Sequence, residues 1–232
     1  NAFVAQLSVE ELACLVRGEG MCSHKVTPGV ASAFGGVADS LLEIGIPLAS
    51  TADGPSGIRM DNGAKATLLP SGTLLASSWD PILVERLYVM EGKELLRNGI
   101  DLLLGPGMNI QRHPLNGRNF EYFSEDPLLT GMMAAAVVRG IRSGGGIATL
   151  KHFACNNQEF ARAKADSVVS ERALREIYLK GFEYAVKSGG ANAVMTAYNP
   201  VNGHHAASNY DLTTTVLREE WGFRGIVTGG QR

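Results

Sequence analysis

Short apolar runs alternate with helical segments along most of this chain, and this alternation restricts the fold more than any other feature. Strands are expected at residues 46–51, 68–77, 100–104, 147–150, 193–197 and 225–227. Helices are expected from Ser8, over 80–97 and 127–142, from about Ser170, and over 211–221. Because helices separate successive buried strands, the strands should run parallel in one sheet. The pattern predicts an α/β fold, a TIM-type (β/α)8-like barrel formed by one domain.

Local signals fix several helix starts. Ser8 and Glu11 have the spacing of a capping box, and the pairs Asp80-Pro81 and Asp126-Pro127 place an N-cap before a proline at the first helical position. Residues 18–40 are rich in glycine and polar side chains and show no period, so no regular element is predicted there.

Charge and composition exclude several classes of protein. The net charge of −2 over 232 residues leaves no basic surface for nucleic acid. No apolar run approaches the ~20 residues of a membrane span, so no membrane partner is expected. The chain begins at Asn1 without a signal peptide and reads as cut from a longer protein, for which a cytoplasmic location is the expectation. Three cysteines without a CxxC pair, Cys14, Cys22 and Cys155, are interpreted as reduced core thiols.

One long loop stands out between a predicted strand and a predicted helix. Residues 105–127 read GPGMNIQRHPLNGRNFEYFSEDP and combine aromatic rings, guanidinium groups and carboxylates. Loops of this length are usually functional or disordered, and the apolar content argues against disorder. The composition suits a polyhydroxylated ligand, although a lid held by its own salt bridges is the alternative.

Polar side chains gather after the predicted strands, where a barrel builds its site. The candidates are Asp53, Arg118, Lys151, His152, Arg162 and Tyr198. Asp53 could instead be a turn former, and Arg162 a solvated loop charge. Lys151 and His152 are harder to dismiss, because adjacent basic groups desolvate poorly without a partner. His204 and His205 have no acidic or thiol neighbour at ligand spacing and are interpreted as surface residues, so no metal site is expected.

At these positions the chain resembles the catalytic barrel of glycoside hydrolase family 3, of the β-glucosidase type. Five segments match in the family's order, namely DGPSGIR at 53–59, the loop at 105–127, KHF at 151–153, MTAYNPVNG at 195–203 and EEWGFRGIV at 219–227. The residues after KHF are Ala-Cys-Asn-Asn-Gln-Glu, unlike the Pro-Gly-His-Gly of the N-acetylglucosaminidase branch. The resemblance is therefore to a glucosidase.

The resemblance implies roles for the candidate residues. Asp53, Arg118, Lys151, His152 and Arg162 match residues that hold sugar hydroxyls, and Tyr198 matches the residue beside the nucleophile. The family hydrolyses β-glycosides with retention at terminal β-D-glucosyl residues of glucosides or oligosaccharides, through a carboxylate nucleophile and a separate acid/base. It needs no metal and no organic cofactor.

Two departures bear on catalysis. The family's nucleophile is an Asp just after the strand at 225–227, where this chain has Gly229 or Gly230. The acid/base Glu normally comes from a second, sandwich domain, which residues 1–232 do not include. The resemblance therefore implies a barrel truncated before its last strand and helix, without either catalytic carboxylate. Glu121 and Asp101 are the next carboxylates to consider.

Two other functions remain open at this point. A barrel aldolase could use Lys151 as a Schiff-base nucleophile. A non-catalytic sugar-binding barrel remnant would fit the missing nucleophile.

Overall fold

Eight strands form two sheets in the computed structural model, which describes residues 2–21 and 23–229. They are β1 Ser32–Gly35, β2 Leu48–Asp53, β3 Leu102–Leu104, β4 Ile147–Phe153, β5 Ala193–Thr196, β6 Pro200–Val201, β7 His204–His205 and β8 Ile226–Thr228. The larger sheet has the order β1-β2-β3-β4-β5-β8 and is parallel from β2 onwards, whereas β6 and β7 form a separate hairpin. This curled sheet with its helices is an α/β half-barrel, which confirms the predicted barrel class.

The helices lie between the strands in sequence, as the alternation predicts. They are α1 Val9–Arg17, α2 Asp39–Glu43, α3 Gly72–Ser77, α4 Pro81–Arg97, α5 Pro127–Gly144, α6 Glu171–Ala173 and α7 Lys180–Lys187. Two π-helical segments, Leu174–Tyr178 and Asp211–Glu220, complete the helical layer, with short 3-10 turns at Val4–Gln6 and Ala206–Ser208. The helix expected from Ser170 is thus divided into α6, a π-helical segment and α7.

The predicted helix starts are confirmed by their hydrogen bonds. Ser8 and Glu11 form the reciprocal capping box of α1. Asp80 accepts from the backbone amides of Ile82 and Leu83 at the start of α4, and Asp126 accepts from the amide of Leu129 at the start of α5. Each cap satisfies amide groups that have no partner inside the helix.

Helices α4 and α5 pack closely because glycines line their contact. A Cβ added at Gly144 would lie 2.7 Å from the Cα of Gly92, so neither position leaves room for a side chain. The core between helices and sheet is fully buried at Leu103 and Leu150 from the strands and at Tyr88 from α4. This rigid layer supports the carboxyl ends of the strands.

Two sequence predictions of local structure are wrong. Residues 68–77 do not form a strand: the Ser71 side chain accepts from the amide of Leu74 and starts α3 instead. An apolar run does not by itself distinguish a strand from a short helix, and here the cap decides. Residues 18–40, expected to be irregular, contain β1 and begin α2, because β1 pairs antiparallel with the edge of β2.

The cysteine interpretation holds in part. Cys155 is a buried free thiol, and burial raises its pKa to about 12, so it is unreactive at neutral pH. Cys14 is a free thiol that is only half-buried. Cys22 lies outside the described residues.

Candidate functional site

The parallel sheet brings Asp53 and Lys151 together. Asp53 is the last residue of β2 and Lys151 lies near the end of β4, with β3 between them. The Lys151 Nζ donates to Asp53 Oδ1 at 2.6 Å. The Lys151 side chain is 3% exposed whereas that of Asp53 is 38% exposed, so the carboxylate faces solvent while its partner is buried. A half-open carboxylate fixed by an ammonium group can accept hydrogen bonds from an entering ligand.

A second carboxylate lies on the other side of Lys151. Glu121 Oε2 is 3.8 Å from the Lys151 Nζ, and Arg118 donates to Glu121 Oε1. Burial alone would lower the pKa of Arg118, but the Glu121 carboxylate beside it raises it, so the guanidinium stays charged. The result is a chain of four alternating charges in which each buried group lies beside a group of opposite charge. Its members, in order, are Asp53, Lys151, Glu121 and Arg118.

The long loop reaches this position by docking along β4. The Met108 amide donates to the Lys151 carbonyl at 2.8 Å, and the Lys151 amide donates to the Pro106 carbonyl at 3.1 Å. A Cβ at Gly107 would lie 2.8 Å from Glu121 Oε2, so the absence of a side chain there leaves room for the carboxylate. The loop is buried at its base, where Met108 and Ile110 are almost inaccessible to solvent.

His152 is held through its backbone and through the Nδ1 edge of its ring. The side chain of Asn109 bonds both backbone groups of His152, each at 2.8 Å. The Tyr122 hydroxyl and the Asn156 amide nitrogen each lie 3.4 Å from Nδ1. The peptide bond between Lys151 and His152 is cis, and the pairing with β5 shifts register there.

The imidazole of His152 is neutral at neutral pH. Its pKa is well below the usual value, first because it is buried and then because Arg118, Lys151 and Arg162 repel a positive charge there. Since an amide nitrogen can only donate, Nδ1 acts as the acceptor and the proton resides on Nε2. Nε2 has no hydrogen-bond partner among residues 2–21 and 23–229, so it is free to donate to a ligand.

Arg162 and Tyr198 complete the group. The Arg162 guanidinium lies over the Tyr198 ring at 4.7 Å and is bonded to Glu159 at 2.8 Å. Tyr198 follows β5, and Arg162 lies in the segment after β4, so both come from the part of the sheet beyond β3. The Arg162 side chain is 43% exposed, and its role in the site stays a prediction.

A cavity of about 720 Å³ adjoins Arg162. Its walls come from the tip of the long loop at 112–116 and from residues 155–169 after β4, with Tyr178 and Asn199 behind them. Asp53, Lys151 and His152 do not line it. Arg162, whose charge lowers the pKa of His152, is part of the wall of this cavity.

The six predicted site residues therefore lie in one region at the carboxyl ends of the strands. His204 and His205 are exposed on β7, as expected of surface residues. Asp101 is excluded, because it lies at the opposite end of β3 and accepts from the Ser50 amide at 2.8 Å. Gly229 follows β8 and is exposed, and Gly230 lies outside the described residues.

Sequence reasoning did not identify the supporting residues. The sequence indicated Glu121 only as an alternative catalytic carboxylate, yet it pairs with both Arg118 and Lys151. Its place three residues after Arg118 was the available signal, since that spacing commonly brings opposite charges together. Asn109 and Asn156 gave no such signal, because their contacts depend on the docking of the loop against β4.

The geometry opposes a Schiff-base role for Lys151. Such chemistry needs a free, neutral amine, whereas this group is buried between two carboxylates and bonded to one of them. Among residues 2–21 and 23–229 there is also no cluster of three or more His, Cys, Asp or Glu suited to a metal ion. Over the same residues, no helix combines the length and the apolar character that crossing a bilayer requires.

Comparison with known proteins agrees with this architecture. Residues 9–231 match the model of the glycosyl hydrolase family 3 N terminal domain. A β-glucosidase of Ruminococcus albus is 60% identical over 226 residues, which are 97% of this chain and 24% of that protein.

Solved structures are similar over nearly the whole chain. A β-glucosidase of Paenibacillus barengoltzii is 75% identical with a TM-score of 0.97, over 99% of this chain and 25% of that one. β-Glucosidase 3B of Thermotoga neapolitana, solved with glucose, is 43% identical with a TM-score of 0.92, over 99% of this chain and 33% of that one. The chain thus spans about a quarter to a third of these relatives.

Proposed function

Because the chain belongs to glycosyl hydrolase family 3, we propose that it supplies the sugar-binding half-barrel of a retaining β-glucosidase. The substrates are β-glucosides or oligosaccharides with a terminal β-D-glucosyl residue. The proposal concerns a protein of the length of the relatives, in which residues 1–232 form the barrel domain. A second, sandwich domain is the partner of this barrel.

The observation that supports the proposal best is the chain of charges from Asp53 to Arg118 beside a neutral His152. A sugar ring presents hydroxyls that both donate and accept. Asp53 can accept from them, and the Nε2 proton of His152 can donate. Charge-assisted hydrogen bonds of this kind are short and directional, so they fix the orientation of the ring.

Arg162 and Tyr198 would bound the same ring on its other side. A guanidinium packed over an aromatic face keeps its remaining N–H groups available for hydroxyls. The glucosyl unit would therefore sit between Asp53 and Arg162, above the carboxyl ends of the strands.

Retaining hydrolysis needs two carboxylates about 5–5.5 Å apart. One attacks the anomeric carbon and forms a glycosyl-enzyme, while the other protonates the leaving oxygen and then activates water. Glu121 is unsuited to the first role because Arg118 and Lys151 already engage it. In the proposed enzyme both carboxylates lie outside residues 1–232, and the acid comes from the sandwich domain.

A hydrolysis assay on the full-length protein tests the proposal. We expect turnover of p-nitrophenyl β-glucoside, and NMR of the first product should show β-glucose before mutarotation. The appearance of α-glucose first, or no turnover at all, would contradict a retaining β-glucosidase.

A non-catalytic sugar-binding protein is the second candidate, and one observation favours it. Gly229 and Gly230 stand where the family has its nucleophile, and neither has a side chain that could attack. Binding of glucose by the full-length protein without hydrolysis of any β-glucoside would support this candidate over the first.

A further inference from the structure

Four asparagines in this chain are followed directly by glycine, namely Asn62, Asn98, Asn116 and Asn202. In such a pair the backbone nitrogen of the glycine can give its proton to a solvent base and attack the Asn Cγ. The bond from Cγ to Nδ2 breaks, Nδ2 takes up a proton and leaves as ammonia, and a cyclic succinimide remains. Water then adds to one succinimide carbonyl and gives aspartate or isoaspartate. Glycine favours the attack, since it has no side chain to hinder it and the widest range of backbone conformations.

The pair at Asn202 is exposed, yet its reacting groups are all engaged. Asn202 and Gly203 form the turn of the β6–β7 hairpin. The Asn202 side chain accepts from the Val169 amide through Oδ1 and donates to the Val169 carbonyl through Nδ2, each at 2.9 Å. The Gly203 nitrogen donates to Asp166 Oδ1 at 3.1 Å. Loss of the Gly203 proton would place two negative charges side by side, so attack from this nitrogen is opposed.

Two further pairs are held by hydrogen bonds of the nitrogen that would leave. Asn98 lies at the carboxyl end of α4, and its Nδ2 donates to the Glu94 carbonyl at 2.8 Å. Asn116 is half-buried in the long loop, and its Nδ2 donates to Asn119 Oδ1 at 3.2 Å. Reaction at either residue would require one of these bonds to break first.

Asn62 differs from the other three residues. It lies in an exposed segment between β2 and α3, outside any helix or strand. Its Oδ1 accepts from the Ala64 amide at 2.9 Å, and a donor at this oxygen stabilises the negative charge that develops there when Cγ is attacked. Its Nδ2 donates no hydrogen bond within the part of the chain that the structure describes. The Gly63 nitrogen makes a long bond of 3.4 Å to the Met60 carbonyl, which is easily broken.

We propose that Asn62 is a site of spontaneous deamidation, at which the backbone nitrogen of Gly63 attacks the side chain. The reaction consumes water, releases ammonia and needs no enzyme. Its product places an additional carboxylate next to Asp61, which pairs with Arg59 at 2.8 Å. The modification therefore changes the charge of the segment that follows Asp53.

Peptide mapping of the full-length protein by mass spectrometry tests the proposal. The native protein is kept in mildly alkaline buffer, and the deamidated fraction is followed over time at all four pairs. We expect Asn62 to react at least about tenfold faster than Asn202, because breaking a hydrogen bond to a charged group slows a reaction by a factor of this order. Asn62→Ser should abolish the main deamidated product.

Two controls test whether the fold sets this difference. In denaturant, Asn62 and Asn202 should react at similar rates. In the native protein, Asp166→Ala removes the acceptor of the Gly203 amide, so deamidation at Asn202 should rise while that at Asn62 stays unchanged. Equal rates at Asn62 and Asn202 in the native wild type, or a different pair that reacts first, would overturn the proposal.

Discussion

At the scale of single residues, the site depends on the pairing of Lys151. Its ammonium group is buried and lies between Asp53 and Glu121. Removing one partner of a buried ion pair typically costs about 3–5 kcal/mol, because the remaining charge stays desolvated. Lys151 thus stabilises the strand ends and also positions Asp53, the proposed ligand-binding carboxylate.

The first prediction concerns the ion pair of Asp53 and Lys151. In the full-length enzyme, Asp53→Ala should lower kcat/KM at least ~100-fold, since it removes a charged acceptor for sugar hydroxyls. Lys151→Met should cause a similar loss, and the double variant should lose much less than the sum of the two. Additive losses in this double-mutant cycle would show that the two residues act independently. A fall in Tm without a kinetic change would make both residues structural.

The second prediction concerns the protonation of His152. Burial and three nearby cations lower its pKa well below 6.5, so the folded protein keeps the ring neutral as the pH falls through that value. The ring resonances of His152 in NMR should therefore not titrate near pH 6.5. Below about pH 6.5 the unfolded chain takes up a proton on His152, whereas the folded protein does not. His152 therefore makes the free energy of unfolding fall as the pH decreases below about 6.5. A His152 titration midpoint near 6.5 would contradict the buried neutral ring.

At the scale of elements, the loop at 105–127 carries half of the charged chain to the sheet. It runs beside β4 through the backbone bonds of Pro106 and Met108 with Lys151. The position of Glu121 depends on this docking, since the carboxylate fills the space next to Gly107. Small changes in the loop should therefore affect the site without unfolding the barrel.

The third prediction tests this dependence with Gly107→Ala. The new Cβ would meet Glu121 Oε2 at 2.8 Å, so the carboxylate must shift from its present position. We expect kcat/KM to fall about tenfold, equivalent to ~1.4 kcal/mol, with a smaller effect on Tm. Gly117→Ala in the same loop is the matched control, because its nearest neighbour would be an ordinary 3.7 Å away. Equal behaviour of the two variants would argue that Glu121 has no part in binding.

Helix α4 contains a buried carboxyl group that the site does not use. Glu91 is buried, and neither of its oxygens has a hydrogen-bond partner among the described residues. Burial, with a smaller contribution from Glu94, raises its pKa to about 8. Glu91 is therefore protonated at neutral pH in the folded protein.

The fourth prediction follows from this shift. Above about pH 4.5 the unfolded chain releases the Glu91 proton, whereas the folded protein keeps it. The stability that this proton contributes is therefore complete below about pH 4.5 and is lost as the pH rises to about 8. Glu91→Gln should match the wild type near pH 5 and exceed it at pH 8 by a few kcal/mol at most, measured by denaturant unfolding. Glu219→Gln, an exposed counterpart, should retain the pH dependence of the wild type. Parallel stability curves for Glu91→Gln and the wild type would mean that Glu91 is not protonated in the fold.

At the scale of the whole molecule, the described residues form an open half-barrel. The larger sheet has β1 and β8 at its two edges, and the site lies on one face at the carboxyl ends of the parallel strands. Unpaired strand edges are prone to further pairing, so a polypeptide of residues 1–232 should associate at high concentration. Under the proposed function, this half supplies the sugar-binding groups and residues outside 1–232 supply the carboxylate pair.

The fifth prediction separates binding from hydrolysis. A polypeptide of residues 1–232 should give NMR shift changes with glucose but should not hydrolyse p-nitrophenyl β-glucoside above the buffer rate, because retaining hydrolysis needs a nucleophile and an acid. Asp53→Ala in the same polypeptide should abolish the shift changes. Turnover by residues 1–232 would require another carboxylate, and Glu121→Gln would then be the variant to assay.

The sequence alone determined the alternation of elements, most of the helix starts and the six candidate site residues. These features depend on local signals, such as the Asp80-Pro81 cap and the apolar run before Gly105, which neighbouring residues in the chain suffice to set. The barrel class followed, because parallel strands joined by helices have few ways to pack.

Only the tertiary structure decided which of these side chains meet. The pairing of Lys151 with Asp53 and Glu121, the neutral ring of His152 and the cavity behind Arg162 all depend on contacts between strands and loops distant in sequence. The same holds for β1, which pairs with β2 although its own sequence has no strand period. Burial and long-range pairing set these features, and neither is visible in the spacing of residues along the chain.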